Sequence, residues 1–143
     1  MSVHKMSTHI VRTPDILDSE MTQPVPAGSL ESEWRDLLSR HARTACALDR
    51  ELECHHGLGM SEFEVLDRLA SGTAKRVQDL SGVIHLSQSA LSRTVARLEK
   101  NGLVARSMCP DDRRGVSVCL TPAGQERYEA ALPTHRRVLE ENL

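Results

Sequence analysis

The stretch from Leu86 to Gly102 constrains this fold more than any other part of the chain. Ser87 is a good N-cap, Gln88 to Asn101 contains no helix breaker, and Gly102 closes the segment. Leu91, Val95 and Leu98 fall on one helical line, so that face is expected to be buried. Ser89, Ser92, Arg93, Ala96, Arg97 and Lys100 point elsewhere. A shorter segment, Lys75 to Val83 with Val77 and Leu80 inward, precedes it across a tight turn. Two short helices joined this way, the second with a small, polar and basic outer face, are the layout of a helix-turn-helix. Its second helix enters the DNA major groove.

The flanking patterns fit around that unit. Residues 1–30 show no sustained periodicity, end in Pro24-Val25-Pro26-Ala27-Gly28-Ser29, and read as a flexible arm. From Trp34 through Leu37, Leu38, Ala42, Ala45 and Leu48 to Leu52, apolar residues recur at three- and four-residue steps. They predict a helix from about Glu31 to His55 that stops at Gly57. At ~1.5 Å per residue it would be about 37 Å long. Such a stripe is expected to pack against a second subunit, the alternative being that it crosses its own domain. Ser61 to Glu64 reads as a capping box that opens a helix to about Ser71. Leu103–Arg106 and Val116–Leu120 are strand candidates around the polar turn Pro110–Gly115. Thr121-Pro122 reads as a cap and first helical residue, and the last helix is expected to break at Pro133 and resume over Thr134–Asn142.

Composition excludes several classes. Among 143 residues no apolar run approaches the ~20 that a membrane span needs. Trp34, Phe63 and Tyr128 are the only aromatics, which weakens any mechanism built on base stacking. The four cysteines form no CxxC, and no apolar leader is visible, so they read as reduced thiols of a cytoplasmic protein. No HExxH, GxSxG or glycine-rich phosphate loop is present, and an enzyme is not expected. The net charge of -2 conceals an asymmetry. Residues 75–115 hold eight basic against four acidic residues, a local +4, leaving -6 elsewhere. A basic patch on an acidic body directs phosphate binding to one surface. A winged-helix protein-interaction module without DNA binding is the rival, but it would not need these arginines together.

Four motifs in order carry a resemblance. They are Ser87-Gln88-Ser89-Ala90-Leu91-Ser92-Arg93, Arg97-Leu98-Glu99-Lys100-Asn101-Gly102-Leu103-Val104, Asp111-Asp112-Arg113-Arg114-Gly115 and Leu120-Thr121-Pro122-Ala123-Gly124. Together they resemble the MarR family of winged helix-turn-helix transcription regulators, usually homodimers. The resemblance covers residues 31–132 in element order. It implies a mainly α, α+β winged-helix fold, with a DNA-binding lobe over 61–120 and dimerisation helices over 31–56 and 122–143. The implied partners are an operator of double-stranded DNA, a second copy of the chain and a small-molecule effector. The implied activity is repression of transcription without a cofactor. After Pro133 only ten residues remain, fewer than the family's closing helix pair. Either the dimer leans on the first helix or the given chain is incomplete.

Roles follow from position. The first turns of a recognition helix reach base edges, which nominates Gln88, Ser89, Ser92 and Arg93 as base readers. Ser87 is a cap whose backbone N–H can meet a phosphate, and Arg97 and Lys100 lie where phosphate contact is expected. By resemblance Asp111–Gly115 is the wing, with Arg113 or Arg114 in the minor groove, Arg114 favoured, and Asp112 supporting the turn. Two sensing modes compete with a small-molecule effector. A thiol switch would use Cys54 or Cys109, and Cys46 and Cys119 are expected in the core. A metal sensor would use Glu53, His56 and His135, the last resembling a histidine of the zinc-sensing branch. Adjacent helical positions fan out by ~100°, so Cys54, His55 and His56 cannot share one ion.

Overall fold

A computed structural model describes residues 26, 28–108 and 115–143 of the chain. Ser29 Oγ accepts from the Ser32 N–H at 3.1 Å and opens α1, Leu30–His56. The division into compact units falls inside that helix, at Arg35/Asp36, and the unit from Asp36 to Leu143 holds the core and the sheet. There α2 (Met60–Leu69), β1 (Lys75–Arg76), α3 (Val77–Ser81), α4 (Gln88–Lys100), β2 (Val104–Met108), β3 (Val116–Leu120) and α5 (Pro122–Asn142) follow in order. The strands form one antiparallel sheet in the order β1-β3-β2. Val104 pairs with Leu120 and Met108 with Val116, so β2 and β3 make the expected hairpin. The expected winged helix is the fold observed.

Local signals explain most element ends. Ser87 Oγ accepts from the Ala90 N–H at 3.2 Å and caps α4, as its sequence position implied. Thr121 does the same for α5, accepting from the Gly124 N–H at 3.0 Å. The Thr121 hydroxyl also donates to the Gly102 carbonyl at 2.6 Å, tying the start of α5 to the end of α4. Gly124 sits where a Cβ would collide with the Leu103 carbonyl oxygen. A glycine there lets the first turn of α5 lie directly on the strand entry.

Four expectations are corrected. Ser61 does not cap α2: the cap position is Gly59, which makes no side-chain cap bond, and Asp49 Oδ1 of α1 accepts from the Met60 N–H at 2.9 Å. Lys75–Arg76 is not helical but pairs with Val118 and Ser117 as an edge strand. Helix α5 does not break at Pro133 but runs through it. Pro133 removes one backbone donor, yet Ala131 and Val138 on either side are both buried, and their packing holds the helix continuous. Cys46 lies exposed on α1 instead of in the core, while Cys119 is half-buried with its thiol 3.7 Å from the Ala105 carbonyl.

One apolar cluster unites all the helices with the sheet. Leu48 and Leu52 of α1, Phe63 and Leu66 of α2, Leu80 of α3, Leu91, Val95 and Leu98 of α4, Val118 of β3, and Ala131 and Val138 of α5 belong to it. The α1 stripe is only half used. Leu48 and Leu52 are buried, but Leu37 is 57% and Leu38 46% exposed, as is Trp34 at 58%. At the centre, Phe63 stacks on His135 with ring centroids 4.3 Å apart and meets Tyr128 at 5.6 Å. The Tyr128 hydroxyl donates to Asp67 at 2.8 Å, and burial with that bond pushes its pKa up to about 12.

Two predictions follow from this packing. Inside a helix Gly→Ala ordinarily stabilises by about 1 kcal/mol, whereas Gly124→Ala should destabilise by about 1–3 kcal/mol through overpacking. A higher melting temperature for Gly124→Ala would refute the close approach. Burial lowers the pKa of His135, against the opposing pull of Glu64 and Asp67, and that of His56, which shares a 2.8 Å hydrogen bond with Thr134. Their neutral forms are favoured in the fold. The stability they contribute is present above the ordinary value of 6.5 and lost as pH falls through the lowered ones. The melting temperature of His135→Phe relative to the parent should therefore rise as pH falls from neutral to acid, and a pH-independent difference would contradict the assignment.

Candidate nucleic-acid interface

The outer face of α4 is built by what lies beneath it. Leu91, Val95 and Leu98 are fully buried and Thr94 nearly so, with its hydroxyl donating to the Ala90 carbonyl at 2.9 Å. That leaves Gln88, Ser89, Ser92, Arg93, Arg97 and Lys100 exposed, as expected. No acidic residue stands in the first turn, so the positive end of the helix dipole is uncompensated there. Arg97 and Lys100 occupy the last turn, where cations suit the negative end. Ser87 Oγ lies 3.3 Å from Ser89 Oγ, and the small side chains leave the first turn open to close approach.

The basic residues divide by partner. Among the described residues neither Arg93 nor Lys100 makes an ion pair, and both are open to an anion. Arg97 is different: its Nε lies 3.3 Å from Glu62 Oε1 of α2. Arg106 of β2 is 2.7 Å from Glu99 of α4, an ion pair that ties α4 to the hairpin. Burial pushes the Glu62 carboxyl pKa up, despite Arg97 beside it, and Glu53 and Asp49 add to the rise. The Glu62–Arg97 contact joins residues far apart in the chain, and no local pattern signals it. Arg113, Arg114 and the supporting Asp112 lie outside the described residues, as does Cys109.

The candidate sensing residues are dispersed. His56 is bonded to Thr134, His135 is stacked on Phe63, and Glu53 is exposed on α1. Among the described residues no three histidine, cysteine or acidic side chains gather as a metal site. Cys54 is exposed near the end of α1, and Cys46 and Cys119 are also free thiols. A cavity of about 510 Å³ lies between α1, α2, the α3–α4 connection and the end of α5. Leu37, Leu48, Ile84 and Leu139 give it apolar walls, while Arg40, His41, Arg68 and His85 supply basic groups against one acidic group, Glu64. No phenylalanine, tyrosine or tryptophan lines it. No described helix is long and apolar enough to cross a membrane.

This architecture has relatives. The MarR family model matches residues 58–116, from the start of α2 to the start of β3. The chain is similar to Sco3205, a MarR family transcriptional regulator from Streptomyces coelicolor solved in complex with DNA. The two share 31% identity and a TM-score of 0.74, over 80% of this chain and 77% of that one. AbsC, a MarR family transcriptional regulator from the same organism, gives a TM-score of 0.74 at 29% identity, over 83% of this chain and 81% of that one. The HTH-type transcriptional regulator YkoM of Bacillus subtilis (strain 168) is 30% identical over 80 residues, 56% of this chain and 52% of the relative. The chain spans about half the length of the curated relatives it matches. The chain belongs to the MarR family.

Proposed function

We propose that this protein is a sequence-specific regulator of transcription that binds double-stranded DNA through the outer face of α4. The observation that carries this reading is the division of α4 itself. Leu91, Val95 and Leu98 are sealed in the core, and Gln88, Ser89, Ser92 and Arg93 are thereby offered to a groove. Arg93 pairs with guanine and Gln88 with adenine, the contacts that their side-chain donors and acceptors suit. Lys100 and Arg97 meet backbone phosphates. Arg113 or Arg114 enters the minor groove from the wing, with Arg114 preferred. The DNA complex of Sco3205, a relative of the same fold, supports the reading.

The working unit is a homodimer acting as a repressor in the cytoplasm. Leu37 and Leu38, half-exposed on α1, and Leu143 beyond α5, 72% exposed, suit a second copy of the chain. Two recognition helices then read two half-sites. Effector control is assigned to the 510 Å³ cavity, whose walls include Met60 and Ser61 of the first turn of α2 and Ile84 to Leu86 ahead of α4. A ligand there acts by favouring one separation of the recognition helices over another. The apolar walls and basic groups suit an apolar molecule with an anionic group. No cofactor takes part.

Fluorescence anisotropy on a labelled duplex tests the core of this proposal. Arg93→Ala should weaken specific binding by about 5- to 150-fold and relax preference at one base pair. Lys100→Ala should weaken all sequences evenly and lower the salt slope by about one. Parental affinity in both variants at matched salt would remove α4 from the mechanism.

A further inference from the structure

Arg97 lies one helical turn beyond Arg93 and two beyond Ser89, on the line that faces outward from α4. Its side chain is 57% exposed, yet its Nε is engaged at 3.3 Å by a Glu62 carboxylate that is only 12% exposed. The contact therefore takes one edge of a planar guanidinium and leaves the remainder open to a second partner. An arginine held this way loses less side-chain freedom when it meets a phosphate than one swinging free.

Glu62 is a poor device for stability. Burial raises its pKa in spite of Arg97, and Asp49 and Glu53 crowd it with like charge. Asp49 is fixed in turn by accepting from the Met60 N–H, so it stays close to the first turn of α2. For a carboxylate in such surroundings the cost of leaving water offsets much of what its one ion pair returns. Its position fits a different role. We infer that Glu62 is a positioning residue for DNA binding, holding the Arg97 guanidinium so that its open edge meets a backbone phosphate. This rests on the assignment of α4 as the DNA-reading helix.

The test is a double-mutant cycle on a duplex that the protein itself recovers from a random pool, read by anisotropy at fixed salt. Arg97→Ala should weaken binding about 5- to 20-fold and lower the salt slope by about one. Glu62→Ala should weaken it about 3- to 10-fold with no loss of melting temperature. Combined with Arg97→Ala it should add nothing further. Glu62→Gln keeps an acceptor for Nε and should restore most of the affinity, and Glu62→Met, which keeps the side-chain volume without the acceptor, carries the cycle if the alanine variant fails to fold. Tighter binding by Glu62→Ala would overturn the inference, since Glu62 would then compete with phosphate for Arg97. So would a loss that persists undiminished in the Arg97→Ala background. Arg93→Ala separates the two levels. If it weakens binding while Arg97→Ala and Glu62→Ala do not, only the positioning role fails. If no duplex is recovered, or Arg93→Ala also binds normally, the DNA-reading assignment fails.

Discussion

Burial of Leu91, Val95 and Leu98 against the core is the interaction on which the rest of the structure depends. Each side chain removed from water contributes roughly 1.5–3 kcal/mol, and together they fix the rotation of α4 about its axis. Once that rotation is fixed, the helical repeat leaves no freedom over which residues face out. Ser87 fixes where the helix begins, and the Thr121 hydroxyl, bonded to the Gly102 carbonyl, fixes where the chain leaves it. The hairpin then emerges at a set angle, held to α4 by the Glu99–Arg106 pair. An interface that must match a groove needs this kind of rigidity beneath it.

What was legible in the sequence was local. Ser87 and Thr121 announce their helices because a cap acts over three residues, and the β2–β3 hairpin is announced by alternation around a polar turn. The elements that escaped are those decided by distant partners. Asp49, on the preceding helix, takes the cap role that Ser61 was expected to play. Lys75–Arg76 becomes a strand only because β3 lies beside it. Pro133 stays inside a helix because Ala131 and Val138 are packed on both sides. Cys46 sits among apolar neighbours in sequence, but the turn of α1 carries it away from the buried side. Of the candidate site, the outward face of α4 was readable from its period, while the engagement of Arg97 by Glu62 was not.

The first turn of α2 meets α1, the cavity and α4. Its backbone is held by Asp49 of α1, its Met60 and Ser61 line the cavity, and its Glu62 contacts α4 through Arg97. Under the proposed effector role of the cavity, a ligand that shifts this turn would reach α4 through the Glu62–Arg97 contact. The single apolar cluster shared by α1, α2, α4 and α5 packs the helices proposed for dimerisation and for DNA reading on one continuous core.

The decisive measurement is selection of duplexes from a random pool, followed by footprinting of the recovered sequence. DNA reading by two copies of α4 requires one enriched inverted repeat, protected at two half-sites whose centres lie about one helical turn or a multiple of it apart. Protection should fade steeply as salt is raised. A pool that shows no enrichment, or binding that ignores salt, would contradict it.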